Sequence, residues 1–297
     1  MSKSMKRFAA RLTAGCLVLA AALPATAADL KVEVHGDHGR PVILVPGLGG
    51  GAWVWKDTAA ALRGGHTVYV VTLPGFDGTP PPAGGNYLDQ AGDALVGLIR
   101  ERHLDKPVLV GHSLGGTLAL KLASEHPELL GGVVAVDGLP VFPGSEGLPA
   151  AQRSAMAAAM QARMRAATPA QFQAQQIAYM QKIGVLDPAK AEVYGKLNAK
   201  SDPKATAQYM AEDFGLDLRA ALKRADLPVL EISPYNAPDF AAGPMAMSEQ
   251  QKADYYRSLL ASAPKARVAS IGPARHFVML DQPAKFQQTL DAFLDTL

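Results

Sequence analysis

Cysteine is almost absent from this sequence, because Cys16 is the only one among 297 residues. It lies in an N-terminal segment that we expect to be removed, and the mature chain would then contain no cysteine. A chain without cysteine has neither a disulfide framework nor the thiolate ligands of a structural zinc site. We therefore expect a fold stabilised by burial of apolar side chains, and residues 28–297 are enough for one large domain.

An excess of charge of either sign is also lacking. The chain has 29 lysine and arginine residues and 27 aspartate and glutamate residues, which gives a formal net charge of +2. Four of the basic residues and no acidic residue lie in residues 1–27, so the formal net charge of residues 28–297 is −2. No cluster of interleaved basic and aromatic residues occurs in the rest of the chain. The sequence therefore argues against a nucleic acid as a partner.

The N-terminal segment has the pattern of a secretory signal peptide. Four basic residues, the last of them Arg11, precede the uncharged run Leu12–Leu23, and small residues follow that run. The run is shorter than the ~20 apolar residues that a permanent membrane helix needs. We predict that residues 1–27 form a signal peptide that is cleaved before Ala28. The mature protein would then be periplasmic or secreted, without a stable membrane anchor.

Short apolar runs rich in β-branched residues recur along the mature chain. Because successive residues in each run are apolar, both faces of the corresponding strand should be buried, as in a parallel sheet. Helical patterns lie between the runs, for example in Leu114–His126 and Lys285–Leu297. This alternation predicts an α/β fold with a doubly wound, mostly parallel sheet. The predicted strands are Val42–Val45, Val68–Thr72, Val108–Val110, Val133–Val136, Val229–Ile232 and Val268–Ile271.

The alternation stops between about Leu139 and Ala225, where alanine, glutamine and methionine dominate and no strand pattern occurs. Helix starts in this segment are marked by an N-cap residue followed by proline. We expect residues 28–139 and 227–297 to form the core and residues 140–226 to form an inserted helical cap. Its methionines recur every four residues, a spacing that either packs a core or covers an apolar pocket. The capping pairs are Thr168-Pro169, Asp187-Pro188 and Asp202-Pro203, and the methionines are Met156, Met160 and Met164.

The stretch VGHSLGG places Ser113 between a predicted strand and a predicted helix. A Gly-x-Ser-x-Gly pentapeptide alone is a weak signal, but the strand–turn–helix setting is the one that a nucleophile elbow requires. Side chains at Gly111 and Gly115 would collide with neighbouring backbone in such a tight turn. The first amide of the helix, that of Leu114, could stabilise a developing oxyanion. We therefore predict that Ser113 is a nucleophile.

Three stretches together resemble the α/β-hydrolase superfamily, in its esterase, haloperoxidase and C–C hydrolase branch. They are VGHSLGG, LVPGLGGGAWVW and IGPARHFVMLDQP. The resemblance implies that His276, in the third stretch, takes the proton of Ser113. It also implies that the amides of Leu48 and Leu114 form the oxyanion hole. Pro46 stands where relatives commonly have histidine, but a backbone donor does not depend on that side chain.

The third member of the triad departs from the common pattern of the superfamily. The usual acid follows the strand PVLEIS, where this chain has Asn236 and, slightly further on, Asp239. The other known position is the end of the preceding strand, where Asp137 lies 24 residues after Ser113, as in haloalkane dehalogenases. We prefer Asp137 as the acid, with Asp239 as the alternative. Asn236, or no acid at all, stays open.

A serine at the elbow favours acyl transfer over the dehalogenase and epoxide hydrolase chemistries, which use aspartate there. We expect a carboxylesterase-like serine hydrolase that cleaves an ester-like bond of a small hydrophobic substrate. No metal or other cofactor is expected, because no histidine pair has ligand spacing. Lactonase, thioesterase, amidase and perhydrolase activities stay open. Two other kinds of function also stay open: a ligand-binding protein without turnover, and an interaction protein that uses the methionine-rich segment.

Overall fold

A computed structural model describes residues 30–243 and 246–297. The predicted signal peptide, residues 1–27, lies outside the described residues. Within them, one sheet has seven strands in the order β1-β3-β2-β4-β5-β6-β7. The strands are β1 (Lys31–His35), β2 (Arg40–Val45), β3 (His66–Thr72), β4 (Val108–His112), β5 (Gly132–Val136), β6 (Val229–Pro234) and β7 (Ala266–Ile271).

All strand pairs in this sheet are parallel except the pair of β1 and β3 at one edge. The predicted fold class, an α/β fold with a mostly parallel sheet, is therefore confirmed. Each of the six predicted strands is present with slightly wider bounds. Strand β1 was not predicted, because its residues alternate between apolar and polar instead of forming an apolar run. Strand β1 lies at the edge of the sheet, and none of its five residues is buried.

Ten α-helices occur in the described part of the chain. No helix in residues 30–243 and 246–297 is both long and apolar enough to cross a bilayer. The helices are α1 (Lys56–Leu62), α2 (Tyr87–Glu101), α3 (Leu114–Glu125), α4 (Ala150–Arg165), α5 (Pro169–Tyr179), α6 (Pro188–Asn198), α7 (Pro203–Gly215), α8 (Glu249–Leu259), α9 (Val278–Asp281) and α10 (Pro283–Leu294).

The core lies on both faces of the sheet. Successive residues of β2 point to opposite faces, so that Ile43 and Val45 belong to one apolar cluster and Val42 and Leu44 to the other. All four are fully buried. The first cluster includes side chains of α2 and α3, and the second includes those of α1 and α10. Two-sided burial is the reason that these strands read as continuous apolar runs.

Helices α4 to α7 lie between β5 and β6, in the segment predicted to be an inserted cap. Helix α4 packs on α7, and α5 packs on α6. The three predicted helix starts are confirmed, because the side chains of Thr168, Asp187 and Asp202 each accept a hydrogen bond from a first-turn amide. The boundaries of the cap, residues 140–226, stay a prediction. A π-helical turn, Met180–Gly184, extends α5.

Of the two alternatives for the regularly spaced methionines, packing describes α4 and covering of a pocket does not. Met156 is 45% exposed. Met160 packs against Ala157, Ala211 and Phe214, in the contact between α4 and α7. The spacing therefore reflects helix–helix packing that is left partly open to solvent.

Candidate active site

Ser113 lies at the turn between β4 and α3 with φ of 51° and ψ of −120°. A positive φ is rare for a residue with a side chain and costs of order 1–3 kcal/mol, so the surrounding structure must hold it. The Ser113 amide donates a hydrogen bond to the carbonyl of Val136 in β5 at 2.8 Å. The turn thus fixes Ser113 above the carboxyl ends of β4 and β5, as the strand–turn–helix pattern predicts.

The glycines of the elbow make room for this turn. A Cβ on Gly111 would overlap the backbone of Gly115, and a Cβ on Gly115 would overlap the carbonyl oxygen of Val45. A Cβ on Gly116 would lie 2.9 Å from the Cα of Gly138. The predicted collisions at positions 111 and 115 are therefore confirmed.

Replacing Gly115 by alanine should lower the free energy of unfolding by about 1–3 kcal/mol, because backbone must move to admit the methyl group. Gly97→Ala in α2 is the matched control, since a Cβ there meets nothing within 4 Å. Alanine favours a helix over glycine by up to ~1 kcal/mol, so the control should be neutral or more stable. Urea unfolding of both variants measures the difference. Equal stabilities would contradict the tight packing at Gly115.

His276 lies in the loop after β7, and its ring Nδ1 is 2.5 Å from Oδ2 of Asp137. Asp137 directly follows β5, and its amide donates to the carbonyl of Ile232 in β6 at 2.9 Å. The π-helical turn also fixes the His276 loop, since the His276 amide donates to the carbonyl of Ile183 at 3.1 Å. An ionised carboxylate only accepts hydrogen bonds, so Nδ1 of His276 must be its protonated nitrogen. Nε2 is then free to accept a proton.

The described hydrogen bonds do not include one between Ser113 Oγ and His276, although both residues line the same cavity. Hydrogen bonds of this kind are often long before substrate binds.

The Asp137 carboxylate is held by two further groups from α8. The hydroxyl of Tyr256 donates to Oδ1 of Asp137, and the Lys252 ammonium lies 3.9 Å from the same oxygen. Burial alone would raise the pKa of Asp137, but Lys252, His276 and Tyr256 outweigh it and hold this pKa well below its ordinary value. Asp137 is therefore ionised at any pH near neutrality, which is the state that orients a histidine.

The alternative acid, Asp239, has a different partner in the structure. Its two carboxylate oxygens accept hydrogen bonds from the Arg275 guanidinium at 2.8 and 2.9 Å. Its Oδ2 also accepts from the side-chain amide of Asn236 at 2.8 Å. The bond to Arg275 holds the pKa of Asp239 below its ordinary value against the effect of burial. The geometry thus pairs Asp137 with His276 and Asp239 with Arg275, while Asn236 is bonded to Asp239.

The two predicted oxyanion donors flank Ser113. Leu48 and Leu114 line the cavity beside it. Among the hydrogen bonds of residues 30–243 and 246–297, none uses the amide of Leu48 or Leu114. The loop of Leu48 approaches the elbow closely, because a Cβ on Gly47 would lie 3.0 Å from the Cβ of Ser113. Two free amides beside a serine are what an oxyanion hole requires.

His112 is fully buried behind Ser113 and plays the part of a packed neighbour, as predicted. Its Nε2 donates to the carbonyl of His276 at 3.0 Å, and its ring lies 4.3 Å from that of Phe277. Burial, followed by the charge of His276, lowers the pKa of His112 well below its ordinary value. The hydrogen bond of His112 therefore holds the His276 loop in place.

A cavity of about 450 Å³ opens over Ser113 and His276. The cavity is lined by the elbow and by the loop that directly follows β5. The helical segment before β6 contributes Tyr179, Ile183, Met210 and Asp213. Most of the lining side chains are apolar, as in other small-molecule sites. The remaining lining residues are Leu48, Leu114, Thr117, Asp137, Gly138, Leu139, Val141, Phe142, Pro143 and Tyr256.

Sequence reasoning missed three residues around Asp137. Tyr256 and Lys252 come from α8, and Glu231 lies in β6 next to the end of β5. Glu231 is fully buried, and its carboxyl has no hydrogen-bond partner in the described part of the chain. Burial, with the charge of Asp137 next, raises the pKa of Glu231 well above its ordinary value, which favours the neutral carboxyl. The sequence feature that could have pointed to Glu231 is its charge inside the otherwise apolar run VLEIS.

We expect Tyr256→Phe to lower kcat about tenfold with little change in KM, because it removes a hydrogen bond to a charged group worth ~1.5 kcal/mol. The neighbouring hydroxyl of Tyr255 donates to Glu146 instead, so Tyr255→Phe is the matched control. Steady-state kinetics with one ester measures both variants. Equal effects of the two variants would contradict a specific role of Tyr256 in holding Asp137.

No group of three or more potential metal ligands occurs among the residues that the structure describes. The active-site carboxylate, Asp137, is already engaged by His276, Tyr256 and Lys252.

The seven-stranded sheet, the elbow and the cavity define a class of protein, and comparisons agree with it. The chain belongs to the alpha/beta hydrolase family, whose model matches residues 42–288. Among solved structures, the chain is similar to an enol-lactonase from Burkholderia xenovorans, with 19% identity, a TM-score of 0.71, and coverage of 90% of this chain and 96% of that one. It is also similar to a thermophilic esterase from Thermogutta terrifontis, with 20% identity, a TM-score of 0.72, and coverage of 90% and 93%. At such identities the likeness concerns the fold.

Curated relatives match a shorter part of the chain. RutD of Yersinia enterocolitica, named as a candidate carbamate hydrolase, is 35% identical over 117 residues, which are 37% of this chain and 41% of RutD. A pimeloyl-acyl-carrier-protein methyl ester esterase of Salmonella newport is 29% identical over 121 residues, which are 41% of this chain and 45% of that protein. The chain thus matches about two fifths of the length of these relatives.

Proposed function

We propose that this protein is a serine hydrolase that cleaves an ester bond of a small, largely hydrophobic substrate through an acyl-enzyme. The observation that carries the proposal is the shared cavity, in which the strained Ser113 lies beside a His276 that is hydrogen-bonded to Asp137. Neither Ser113 nor the buried pair of His276 and Asp137 is explained by the stability of the fold, because each costs strain or desolvation.

In the first half of the reaction, Ser113 Oγ attacks the acyl carbon of the ester. Nε2 of His276 takes the Ser113 proton as the new C–O bond forms, and the positive charge on the ring is stabilised by Asp137. The carbonyl oxygen becomes an oxyanion, which the amides of Leu48 and Leu114 stabilise. His276 then gives its proton to the leaving alcohol as the old C–O bond breaks.

In the second half, a water molecule attacks the acyl group on Ser113. His276 takes a proton from this water and returns a proton to Ser113 Oγ, so that the products are the acid and the free enzyme. His276 must therefore reach both the serine and the water. Its position at the edge of the cavity, next to Tyr179 and Ile183, permits this.

The cavity lining supports a class of substrate, and so do names among the relatives. Leu139, Val141 and Phe142 on one side, with Ile183 and Met210 of the cap, offer an apolar surface to an acyl or alcohol group. Relatives and similar structures include a methyl ester esterase, an esterase and an enol-lactonase. We expect simple carboxylic esters to be the preferred substrates. Hydrolysis of thioesters, lactones or amides, and peracid formation, are alternative reactions of related chemistry.

A panel of p-nitrophenyl esters from acetate to laurate tests this proposal. We expect kcat/KM to rise from acetate to an intermediate chain length, as apolar area is buried in the cavity, and to fall once the chain outgrows it. Highest activity with acetate would overturn the apolar acyl pocket. Absence of hydrolysis with every ester would overturn the proposed activity.

We also propose that the mature enzyme acts in the periplasm or outside the cell. The support is the basic, apolar and small-residue pattern of residues 1–27. Expression with the full sequence should yield an exported protein whose N-terminal residue is Ala28. Full-length protein that stays in the cytoplasm would contradict the proposed location, and an exported protein with an uncleaved N-terminus would contradict the cleavage before Ala28.

A further inference from the structure

One carboxylate in the cavity has no place in the proposed mechanism. Asp213 lies near the end of α7 in the cap and lines the same cavity as Ser113 and His276. Met210, one turn earlier on α7, also lines this cavity. A charged side chain among apolar ones at a substrate site is the usual way in which an otherwise hydrophobic pocket gains specificity.

Asp213 has no counter-charge in the described part of the chain. No lysine, arginine or histidine nitrogen lies within 4.0 Å of its carboxylate oxygens. The other carboxylate of the cavity, Asp137, contrasts with it, since His276, Tyr256 and Lys252 surround that group. Asp213 is thus the carboxylate that a bound molecule could still pair with.

Basic groups on the helices packed around α7 are either paired with other carboxylates or exposed to solvent. Arg153 of α4 lies 3.6 Å from Asp217, and Lys121 of α3 lies 3.1 Å from Asp89 of α2 and 2.7 Å from Glu125. Three other charged residues are exposed, namely Arg163 and Arg165 of α4 and Asp93 of α2. The Glu212 carboxylate of α7 accepts hydrogen bonds from the backbone amides of Tyr87 and Leu88. Inside the cavity, the other titratable groups are Asp137, Tyr179, Tyr256 and His276.

Burial raises the pKa of Asp213 to about 7, and the nearby Thr117 hydroxyl offsets only part of this effect. The carboxyl is therefore neutral in mildly acidic solution and gains its charge as the pH rises through this value. A cationic ligand beside it would lower the pKa again and favour the charged form.

We propose that Asp213 is a specificity residue that binds a cationic group, such as an ammonium, carried by the ester substrate. This inference rests on the proposed function of the same cavity. It changes the substrate class from a plain hydrophobic ester to an ester with one positive charge beside an apolar body. An unpaired carboxylate in a cavity attracts a cation and repels an anionic acyl group.

The position of Asp213 sets where the positive charge would lie. Thr117 of α3 lies close to Asp213 and is one helical turn beyond Ser113, since its amide donates to the carbonyl of Ser113 at 2.9 Å. One turn is ~5.4 Å along the axis. The cationic group would then be separated from the reacting carbonyl by a few bonds, on either the acyl or the alcohol side.

Two matched pairs of esters test the preference. Acetylcholine and 3,3-dimethylbutyl acetate differ by one charge on the alcohol side. Methyl 4-(trimethylammonio)butanoate and methyl 5,5-dimethylhexanoate differ by one charge on the acyl side. Their quaternary ammonium groups do not titrate, so the ratio of kcat/KM within a pair reports the charge of the protein and not of the substrate. Hydrolysis is followed by pH-stat titration.

For at least one pair, we expect the wild-type protein at pH 8.5 to have a higher kcat/KM for the cationic ester than for the neutral one. Asp213→Asn should reduce this ratio of cationic to neutral kcat/KM about tenfold. The control is Asp93→Asn, which removes an exposed carboxylate of α2 outside the cavity and should keep the ratio. The wild-type ratio should also rise as the pH increases through about 7, whereas the ratio of Asp213→Asn should stay flat. A wild-type ratio at or below one in both pairs, or a ratio that Asp213→Asn leaves unchanged, would overturn the proposal.

Binding separates this inference from the proposed catalysis. The same four esters are titrated by calorimetry into Ser113→Ala, with and without Asp213→Asn. Tighter binding of the cationic member that depends on Asp213 would support the inference even if no ester is hydrolysed. Equal affinities within both pairs would overturn it, whether or not the wild-type protein is an esterase.

Discussion

Replacement of Ser113 by alanine should lower kcat for ester hydrolysis by at least about 10⁴-fold, with little change in KM. The methyl group cannot form the covalent bond to the acyl carbon, so only the oxyanion donors and the binding surface of the cavity would still act. Steady-state kinetics on the ester of the panel with the highest kcat/KM measures the loss.

The matched control is Ser258→Ala in α8, where the hydroxyl donates to a carbonyl of its own helix at 2.6 Å. We expect this variant to retain wild-type activity. Unfolding in urea shows whether Ser113→Ala is folded, because alanine at φ of 51° keeps the strain that serine has there. A folded Ser113→Ala variant with more than a tenth of the wild-type kcat would contradict the proposed nucleophile.

Replacement of Asp137 by asparagine should lower kcat by about 10³- to 10⁴-fold. An asparagine can donate its amide hydrogens to Nδ1 of His276, which favours the tautomer whose Nε2 already holds a proton. The base would then be lost, and no carboxylate would stabilise the charged ring. Asp239→Asn provides the comparison, because this residue binds Arg275 and not His276. We expect its kcat to stay within about threefold of wild type, in line with the modest value of an exposed ion pair. A larger loss in Asp239→Asn than in Asp137→Asn would reverse the assignment of the acid.

Asp137 should also affect stability in acid. Its pKa in the folded protein lies below the unfolded value of about 3.9. The stability that it contributes is therefore present above about pH 4 and is lost as the pH falls further. Removal of its charge in Asp137→Asn should make the acid side of the stability profile flatter. Urea midpoints between pH 3 and pH 6 measure this, and parallel profiles for the variant and wild type would contradict the low pKa.

The parts of the fold that the sequence predicts are those in which local pattern and burial agree. Strands β2, β4, β5 and β6 are buried on both faces over most of their length, and a run rich in β-branched residues is the direct result. The nucleophile elbow was equally predictable from the sequence. Its glycines are required because other backbone atoms pass within contact distance of Gly111 and Gly115. Strand β1 escaped prediction since it lies at an edge, where burial does not demand an apolar run.

The choice between Asp137 and Asp239 shows what a sequence leaves open. Both residues follow strands that are neighbours in the sheet, β5 and β6, so topology brings each of them near His276. Their difference lies in partners that only the packed structure reveals. Arg275, adjacent to His276 in the chain, binds Asp239, whereas Tyr256 and Lys252 of α8 converge on Asp137.

The cap was the least predictable region in detail. Helix starts in the cap were predictable from their capping residues. The alanine-rich helices give little indication of which of their faces packs against the rest of the protein. Met156 is therefore exposed, while Met210 and Asp213, which have no distinguishing sequence context, line the cavity. Side-chain direction in a weakly amphipathic helix is determined by tertiary packing, which sequence periodicity does not encode.

Labelling with a fluorophosphonate tests the central claim most directly. A fluorophosphonate reacts with a serine that a neighbouring base activates, and it releases fluoride as the Oγ–P bond forms. Intact-mass spectrometry should show one adduct on the wild-type protein, and peptide mapping should place it on Ser113, with no adduct on Ser113→Ala. A folded wild-type protein that stays unlabelled would contradict a serine hydrolase and favour a ligand-binding protein on the same fold, and an adduct on another residue would contradict Ser113 as the nucleophile.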